Sequence, residues 1–313
     1  MPTKPRILFM GTPAFALPAL ETLFKSGFPI TAVVTQPDRP AGRGKKEAAP
    51  PVKRMAQEFG LTVLQPASVK DPTFLETLDA VRPELVVVAA FGQILPKAVI
   101  DFPPQGCLNI HPSLLPAYRG AAPIHWSIIR GEKQTGVTIM RMDEGMDSGD
   151  ILAQEQTPIG ADETYGELHD RLAVQGAALL VKTIDRLASG DVQRQKQDSS
   201  RVTFAPRLKR ETGKIGWRNA VEDIVNLIRG LNPTPAAYTL LEGQELKIFA
   251  AAARPGSVEE PAGTVASADA EGLPVAASNG HVVLKEVQLA GKKRMPVSDF
   301  LRGFPLKPGI RLD

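Results

Sequence analysis

Two side chains that can act on a carbonyl group lie two positions apart near the middle of the chain. Asn109 and His111 occur in the stretch NIHPSLLP, at the end of a strand-like run. Alternate residues of a strand point to the same side of a sheet, so we expect the amide and the imidazole to share one face. An amide can donate to a developing oxyanion, and an imidazole can accept a proton from an attacking amine. The pair therefore predicts acyl transfer to an amine.

An acidic stretch later in the chain offers a third group. DEGMDSGD spans residues 143–150 and directly follows another predicted strand, so its loop should meet the Asn109 strand at one edge of the sheet. A carboxylate beside an imidazole stabilises the protonated ring. Alternatively, these acids could bind a hard cation. Their spacing does not match a calcium-binding loop, and His111 is the sole nitrogen ligand nearby, so we expect no metal.

A long basic loop follows the second predicted strand. QPDRPAGRGKK covers residues 36–46 and is long for a strand-to-helix connection. A solvated surface loop is the ordinary explanation of such a charge run. However, the loop leaves the sheet at the edge expected for Asn109 and His111, and two further basic stretches follow, at residues 194–218 and 292–311. Three separate basic elements favour a large polyanion such as RNA as the partner.

Several other kinds of site are excluded or disfavoured by the sequence. GTPAFA at residues 11–16 has Pro13 where a dinucleotide-binding turn needs its second glycine, which argues against a nicotinamide or flavin enzyme. Cys107 is the one cysteine, so no intrachain disulfide can form, and a strand cysteine is most often a core residue. The broken apolar N-terminus predicts a first strand rather than a secretion signal, and no apolar run reaches the length of a membrane span. We expect a cytoplasmic protein.

The elements that must position these groups form two domains. Strands alternate with helices in the first half, and the Val-rich run Glu84–Phe91 is typical of a buried central strand, which predicts a doubly wound α/β domain with a mostly parallel, Rossmann-like sheet. We place this domain at residues 1–189, a basic linker at 190–208 and a smaller domain at 209–313. Short strands with Gly and Pro turns predict an oligonucleotide-binding-like β-barrel there. Its expected elements are a helix at 221–229 and strands at 237–241, 246–251, 263–266, 275–277 and 282–287.

A set of motifs resembles the formyltetrahydrofolate-dependent formyltransferases over essentially the whole chain. The residues that carry the resemblance are Asn109-x-His111, Ser113-Leu114-Leu115-Pro116, Tyr118-Arg119-Gly120 and Asp147-x-Gly149-Asp150. The basic loop, with GAAPI at 120–124 and GVTIM at 136–140, narrows this to the methionyl-tRNA formyltransferase branch of the family. The chain departs from the family pattern at Pro112, Arg207, Gly216-Trp217 and Asn232-Pro233-Thr234-Pro235.

The resemblance implies a reaction, a co-substrate and a partner. It implies transfer of a formyl group from 10-formyltetrahydrofolate to the amino group of methionine on initiator tRNA, by a monomer that needs no metal. The catalytic group it implies is Asn109, His111 and Asp147. The residues implied to hold the folate are Ser113, Leu114, Leu115, Pro116, Phe91, Gly92 and Leu95. The residues implied to bind tRNA are Arg39, Arg43, Lys45 and Lys46 of the loop, and Arg207, Lys209 and Arg210 after the linker.

Two alternatives remain open at this stage. An enzyme with the same donor could formylate a small amine, such as a sugar nucleotide or a purine precursor. The basic loop and the basic second domain disfavour this, because a small acceptor needs neither. The chain could also be a tRNA-binding protein on a former enzyme scaffold. Retention of Asn109, His111 and Asp147 disfavours that alternative, because binding alone needs none of them.

Overall fold

The computed structural model describes residues 4–41 and 46–313, without the side chains of Ala41 and Lys46. Arg43 and Lys45, both predicted to bind tRNA, lie outside the described residues. The chain divides into two compact units. The first comprises Met1–Gly120, Thr135–Pro158 and His169–Ala205, and the second comprises Ala121–Gln134, Ile159–Leu168 and Pro206–Asp313.

Regular elements run through both units, and the short strands β3 and β4 flank part of the basic loop. In chain order the elements are β1 (Ile7–Gly11), α1 (Leu17–Lys25), β2 (Ile30–Val34), β3 (Arg39–Ala41), β4 (Lys46–Ala48), α2 (Pro51–Glu58), β5 (Val63–Leu64), α3 (Pro72–Val81), β6 (Leu85–Ala89), α4 (Lys97–Ile100), β7 (Cys107–His111), β8 (Arg119–Gly120), α5 (Pro123–Ile129), β9 (Gln134–Arg141), β10 (Ile151–Pro158), α6 (Tyr165–Ala188), β11 (Phe204–Ala205), α7 (Val221–Gly230), β12 (Ala237–Leu241), β13 (Gln244–Pro255), β14 (Leu273–Ala277), β15 (Gly280–Leu289), β16 (Met295–Pro296) and α8 (Val297–Gly303).

The first unit is built on a seven-stranded sheet in the order β10-β9-β7-β6-β1-β2-β5. The strands β5, β2, β1, β6 and β7 are parallel, and β9 runs antiparallel to β7. Every residue of β1 and β6 is buried, as expected for apolar runs at the centre of a sheet covered on both faces. The predicted mostly parallel, doubly wound sheet is therefore confirmed.

The connections reverse direction between β1 and β6. From β1 the chain proceeds to β2 and β5 on one side, and from β6 to β7 and β9 on the other. Loops after the carboxyl ends of β1 and β6 consequently diverge and leave a crevice, which is where open α/β sheets bind ligands. The turn after β1 is tight, since a Cβ on Gly11 would lie 2.7 Å from Cβ of Ala16 and 3.1 Å from the carbonyl oxygen of Ala89.

The structure contains ordered segments that the sequence did not predict. Strand β10 lies at the sheet edge and alternates half-buried with exposed residues after its first two, so it lacks the apolar run of the central strands. The segment predicted as a linker pairs with the first unit. Gln195 forms an antiparallel bridge with Ile151, and β11 pairs in parallel with β8.

The second unit contains an antiparallel sheet in the order β12-β13-β15-β14, with β16 beside β15. Two irregular segments close this sheet into a barrel. Residues 263–266 bond to β14 and to residues 309–312, while Asp313 exchanges two backbone hydrogen bonds with Leu240 of β12. The predicted small barrel is therefore confirmed. The strand expected at 263–266 pairs as expected but is too irregular to form a regular strand, and the closing segment near Asp313 was not predicted.

The barrel encloses the apolar core of the second unit. Val221, Ile224 and Ile228 of α7 are buried at helical spacing against barrel residues such as Ile248 and Val275. No helix among the described residues is both long and apolar enough to cross a membrane.

A buried threonine holds the turn that follows β7. The Thr138 hydroxyl of β9 donates to the carbonyl of Ser113 at 2.6 Å and accepts from the backbone N–H of Leu115 at 3.1 Å. It also accepts from the side-chain amide of Gln154 at 2.9 Å. Thr138 is fully buried, so water cannot replace these contacts.

Thr138→Val should destabilise the protein, because the nearly isosteric valine leaves the Leu115 N–H and the Ser113 carbonyl buried without partners. We expect a loss of about 2 kcal/mol, or a fall of about 4–8 °C in the melting temperature of the first unit, measured by scanning calorimetry. Thr183→Val is the matched control. The buried Thr183 hydroxyl donates only to the carbonyl of Leu179 in the same helix. Equal losses in the two variants would contradict this role of Thr138.

Candidate active site

The imidazole of His111 is buried and fixed from one side. Its Nε2 lies 3.1 Å from the carbonyl oxygen of Tyr118, and the side chain is 5% exposed. A carbonyl oxygen can only accept a hydrogen bond, so this contact requires the proton on Nε2. In the neutral ring, Nδ1 is then the atom that can accept a proton. Tyr118 offers its carbonyl from a left-handed backbone conformation, with φ of 62°.

Asp147 lies beside the free nitrogen of that ring. Its Oδ1 is 3.8 Å from Nδ1 of His111, and its Oδ2 accepts from the backbone N–H of Gly120 at 2.8 Å. The residue has a φ of 48°, and its side chain is 18% exposed. One carboxylate oxygen is thus anchored by the backbone while the other faces the imidazole, where it can stabilise a proton received by Nδ1.

Asn109 completes the group on the same strand. It pairs with Val88 of β6 on one side and with Met140 of β9 on the other, and it is half-buried. Its side-chain amide forms no hydrogen bond to any other residue in the described ranges. The amide N–H groups are therefore available to an acceptor such as an oxyanion.

Gln197 anchors the backbone around Asp147, although it lies in the segment predicted as a linker. Its side-chain amide donates to the carbonyls of Asp147 at 2.7 Å and Gly149 at 2.8 Å. Its oxygen accepts two hydrogen bonds from Arg119, at 3.0 Å from Nε and 2.7 Å from Nη2. Gly149 cannot be replaced without moving this loop, since its Cβ would lie 1.8 Å from the carbonyl oxygen of Arg141.

The turn predicted to hold the folate is close to His111, but its polar groups are largely engaged internally. The Ser113 hydroxyl is buried and donates to the carbonyl of Ala117 at 2.6 Å. Leu115 is buried against Met140, and its carbonyl accepts from Gln154 at 2.8 Å. Leu114 and Pro116 are half-buried. The Ser113–Pro116 turn can therefore shape a binding surface, with few of its hydrogen-bonding groups left free.

The second predicted folate segment follows β6, the neighbour of β7. Phe91 and Leu95 are buried in the apolar cluster on one face of the sheet, so their side chains anchor the 91–95 loop to the core. Gly92 is exposed with φ of 90°, and a Cβ there would meet no atom closer than 4.0 Å. Ile94 is 76% exposed. This loop thus presents open backbone and an apolar side chain at the carboxyl edge.

The acidic stretch is organised by its own hydrogen bonds. Asp143 accepts from the backbone N–H of Gly145 and from the hydroxyl of Ser148, and Glu144 pairs with Lys97 at 3.4 Å. No cluster of three or more His, Cys, Asp or Glu residues able to hold a metal occurs within the described parts of the chain.

Cys107 lies on the strand face of Asn109 but is not a nucleophile. Burial raises the pKa of its thiol to about 12, so almost no thiolate forms near neutral pH. Its Sγ lies 3.4 Å from the carbonyl of Ile100. The predicted core role is confirmed.

Comparison with known proteins decides the family. The model of the formyl transferase family matches residues 5–184, and that of the formyl transferase C-terminal domain matches residues 207–305. A methionyl-tRNA formyltransferase of Syntrophus aciditrophicus (strain SB) is 58% identical over 309 residues, which cover 99% of both chains. The chain belongs to the methionyl-tRNA formyltransferase family. A member from Geobacter sulfurreducens is 48% identical over 98% of this chain and 96% of its own.

Solved structures share the formyltransferase fold at low sequence identity. An N-formyltransferase from Helicobacter canadensis, in complex with folinic acid and dTDP-3-aminofucose, aligns with a TM-score of 0.68 at 19% identity over 92% of this chain and all of its own. HypX from Aquifex aeolicus, in complex with tetrahydrofolic acid, aligns with a TM-score of 0.67 at 16% identity over 99% of this chain. This chain spans about half of that HypX chain, at 51%.

The family motifs name the residues of the candidate site, but they do not name the residues that hold those side chains in place. Tyr118, Arg119 and Gly120 stand in a recognised motif, yet their contacts to His111, Gln197 and Asp147 follow only from the folded chain. Thr138, Gln154, Gln197 and Thr203 carry no signal in a single sequence. Each is a polar residue whose partners are distant along the chain.

Gln197→Ala should slow formyl transfer, the reaction of the family. Without the amide, the loop loses two anchors, so Asp147 keeps its bond from the Gly120 N–H but loses the one that fixes its own carbonyl. We expect kcat to fall about 10- to 100-fold, as for a misplacement of about 1 Å at a catalytic group. Steady-state kinetics would measure this, with the melting temperature as a check on folding.

Gln195→Ala is the matched control for that variant. Gln195 uses only its backbone, which bonds Ile151, and its side chain is exposed. We expect this variant to keep the activity of the unaltered protein. If both glutamine variants lost activity equally, the segment as a whole rather than the Gln197 amide would be responsible.

Proposed function

We propose that this chain transfers the formyl group of 10-formyltetrahydrofolate to the α-amino group of methionine on initiator tRNA. One observation carries the proposal. The Asn109 amide, which bonds no other described residue, and the His111 imidazole lie on one strand face, with the Asp147 carboxylate 3.8 Å from Nδ1 of the imidazole. This arrangement suits attack of an amine on a carbonyl carbon.

The reaction divides among the three residues. The methionine amine attacks the formyl carbon, and the carbonyl oxygen becomes an oxyanion that accepts a hydrogen bond from the Asn109 amide. Nδ1 of His111 takes a proton from the attacking nitrogen, and Asp147 stabilises the resulting imidazolium. The bond from the formyl carbon to N10 of the folate then breaks, and the proton passes from His111 to N10. Formylated methionyl-tRNA and tetrahydrofolate are the products.

The folate is proposed to lie at the carboxyl edge, along the Phe91–Leu95 loop and the Ser113–Pro116 turn. The open backbone at Gly92 and the exposed Ile94 support this, because a pterin is planar and offers both polar edges and apolar faces. The turn contributes chiefly shape, since Thr138, Gln154 and Ala117 already occupy much of its hydrogen-bonding capacity.

The tRNA is proposed to contact cations in the loop and after the linker. Arg39 is exposed, and so are Arg207, Lys209 and Arg210. Arg210 is partly neutralised, because it pairs with Glu245 at 3.0 Å. Arg207 and Lys209 form no ion pair with any carboxylate of the described residues, so they are the cations best able to bind phosphate.

The proposal also places the protein in the cytoplasm as a monomer. Charged tRNA and reduced folates are found there, and the three catalytic residues come from a single chain. Light scattering of the purified protein, alone and with tRNA, would detect any larger assembly.

The first test is formyl transfer to methionine-charged initiator tRNA, with charged elongator methionine tRNA as the control. We expect efficient transfer to the initiator and little to the elongator. Asn109→Asp should lower kcat about 100- to 1,000-fold, because the isosteric carboxylate repels the oxyanion that the amide binds.

Cys107→Ala serves as the control variant in the same assay. It alters the same strand face, two residues from Asn109, and should leave kcat unchanged in the folded protein. Transfer to neither tRNA, with the folate still bound, would refute the proposed acceptor and favour a small amine. Full activity of the Asn109→Asp variant would refute the assigned role of the amide.

Salt dependence tests the tRNA contacts. For Lys209→Gln and Arg207→Gln, we expect the slope of log affinity for tRNA against log salt to become shallower by about 1 each, because one phosphate contact is lost. Arg210→Gln should change the slope less, since that cation must first leave Glu245. Filter binding at several salt concentrations measures the slopes. Identical slopes in all proteins would show that the tRNA phosphates lie elsewhere.

A further inference from the structure

Two buried polar atoms without partners occur together at the carboxyl end of β2. Within the described part of the chain, three buried side-chain nitrogen or oxygen atoms have no hydrogen-bond partner: Thr35 Oγ1, Gln36 Nε2 and His281 Nε2. The first two are consecutive and belong to the first unit. A buried donor without a partner is costly, and in a folded protein it calls for an explanation such as a ligand that satisfies it.

The orientation of the Gln36 amide is fixed by its neighbour. Nη2 of Arg39 lies 3.2 Å from Oε1 of Gln36. A guanidinium can only donate, so the atom it contacts must be the amide oxygen. Exchanging the oxygen and nitrogen would place two donors against each other. The unpartnered atom is therefore the NH₂ group, which needs an acceptor oxygen.

Gln36 belongs to the binding crevice between β1 and β6. Its backbone N–H donates to the Thr12 hydroxyl at 3.4 Å, and that hydroxyl donates to the carbonyl of Phe91 at 2.8 Å. Cγ of Gln36 is the sole atom within 4.0 Å of the place where a Gly92 side chain would begin. The space over Gly92 is therefore open, and a ligand there would lie against the Gln36 side chain.

Hydrogen bonds to neighbouring side chains hold Gln36 and the segment that follows it in place. Its carbonyl accepts from the side-chain amide of Gln65 at 2.9 Å. Hydrogen bonds from Gln65 and Lys53 lower the pKa of Asp38, so this carboxyl is ionised and bound at neutral pH. Gln36 is 9% exposed, and its backbone N–H and carbonyl are both hydrogen-bonded, so its donor is a prearranged group.

We infer that the Gln36 amide is a binding subsite for an oxygen of the acceptor, on the terminal nucleoside that carries the methionine. A ribose hydroxyl or the ester carbonyl supplies the chemistry that the NH₂ group needs. This inference rests on the proposed function and extends it. It assigns to the acceptor a contact in the crevice, separate from the phosphate contacts of the basic loop.

Position favours the acceptor over the folate as the source of this oxygen. Strands β2 and β7 are three strand spacings apart, or roughly 14 Å, which an aminoacylated nucleoside can span from the transfer centre. Gln36 also begins the segment that carries Arg39, an exposed cation proposed to contact the tRNA, so an acceptor bound to Arg39 has the Gln36 side chain beside it. The Phe91–Leu95 loop, proposed to contact the folate, also borders the space beside Gln36, so the KM values of both substrates must be measured to decide which one supplies the oxygen.

Two variants separate the donor from the rest of the side chain. Gln36→Met keeps the length but removes the amide, and Gln36→Glu keeps an oxygen for Arg39 while replacing the NH₂ with a second oxygen. We expect the KM for methionyl-tRNA to rise about tenfold in Gln36→Met and further in Gln36→Glu, with the KM for 10-formyltetrahydrofolate unchanged. The melting temperature of Gln36→Met should not fall, because the variant removes a donor that has no partner.

Salt distinguishes this contact from a phosphate contact made through Arg39. The tenfold effect of Gln36→Met should be equal at 50 and 200 mM salt, values chosen to span a steep range for phosphate binding. An effect that disappears at the higher salt would overturn the inference. So would a rise in the KM for the folate alone, or unchanged constants for both substrates. Activity of the unaltered protein on methionyl-tRNA is measured alongside, so failure of the proposed function is seen separately.

Discussion

The hydrogen bond from Nε2 of His111 to the carbonyl of Tyr118 is the contact on which the site depends. It decides which ring nitrogen is free, and so where a proton can be received. The chain makes this bond by turning back within seven residues and placing Tyr118 at φ of 62°. Because Gly120 lies two residues further along and its N–H binds Asp147, the same reversal also places the carboxylate beside Nδ1. One turn therefore sets both the tautomer and its partner.

Some polar side chains of the first unit have hydrogen-bond partners in the protein, and others have none. Thr138, Gln154, Thr203 and Gln197 bind backbone groups that are buried or partly buried. Asn109 and Nδ1 of His111 remain free, and Gln36 likewise keeps an unbound NH₂. The structural residues hold the surroundings in place, so the free groups are already positioned for the proposed ligands. Such preorganisation is what makes a hydrogen bond to developing charge effective.

The sequence predicts the central strands and the shared face of Asn109 and His111 because local patterns specify them. The apolar run of β6 indicates a buried strand, and the Asn109-x-His111 spacing indicates a shared face. Strand β10 was not predicted because this edge strand has no apolar run. Residues 310–313 were not predicted either, because they close the barrel through contacts that no local pattern encodes. The anchoring role of Gln197 was not predicted for a similar reason. Its partners lie 48 to 78 residues away, and a glutamine in a polar segment gives no signal of them.

The contacts of Gln197 show that the segment between the two family domains, residues 185–206, is more than a connection. Composition alone indicates a basic connection, since Arg194, Lys196 and Arg201 are all exposed. In the structure, the glutamine between these cations turns inward and bonds the loop that carries Asp147. A surface suited to the phosphate backbone and an anchor of the Asp147 loop thus share eight consecutive residues. Shortening this segment, or replacing it with a flexible linker, would therefore remove two of the hydrogen bonds that hold the Asp147 loop beside His111.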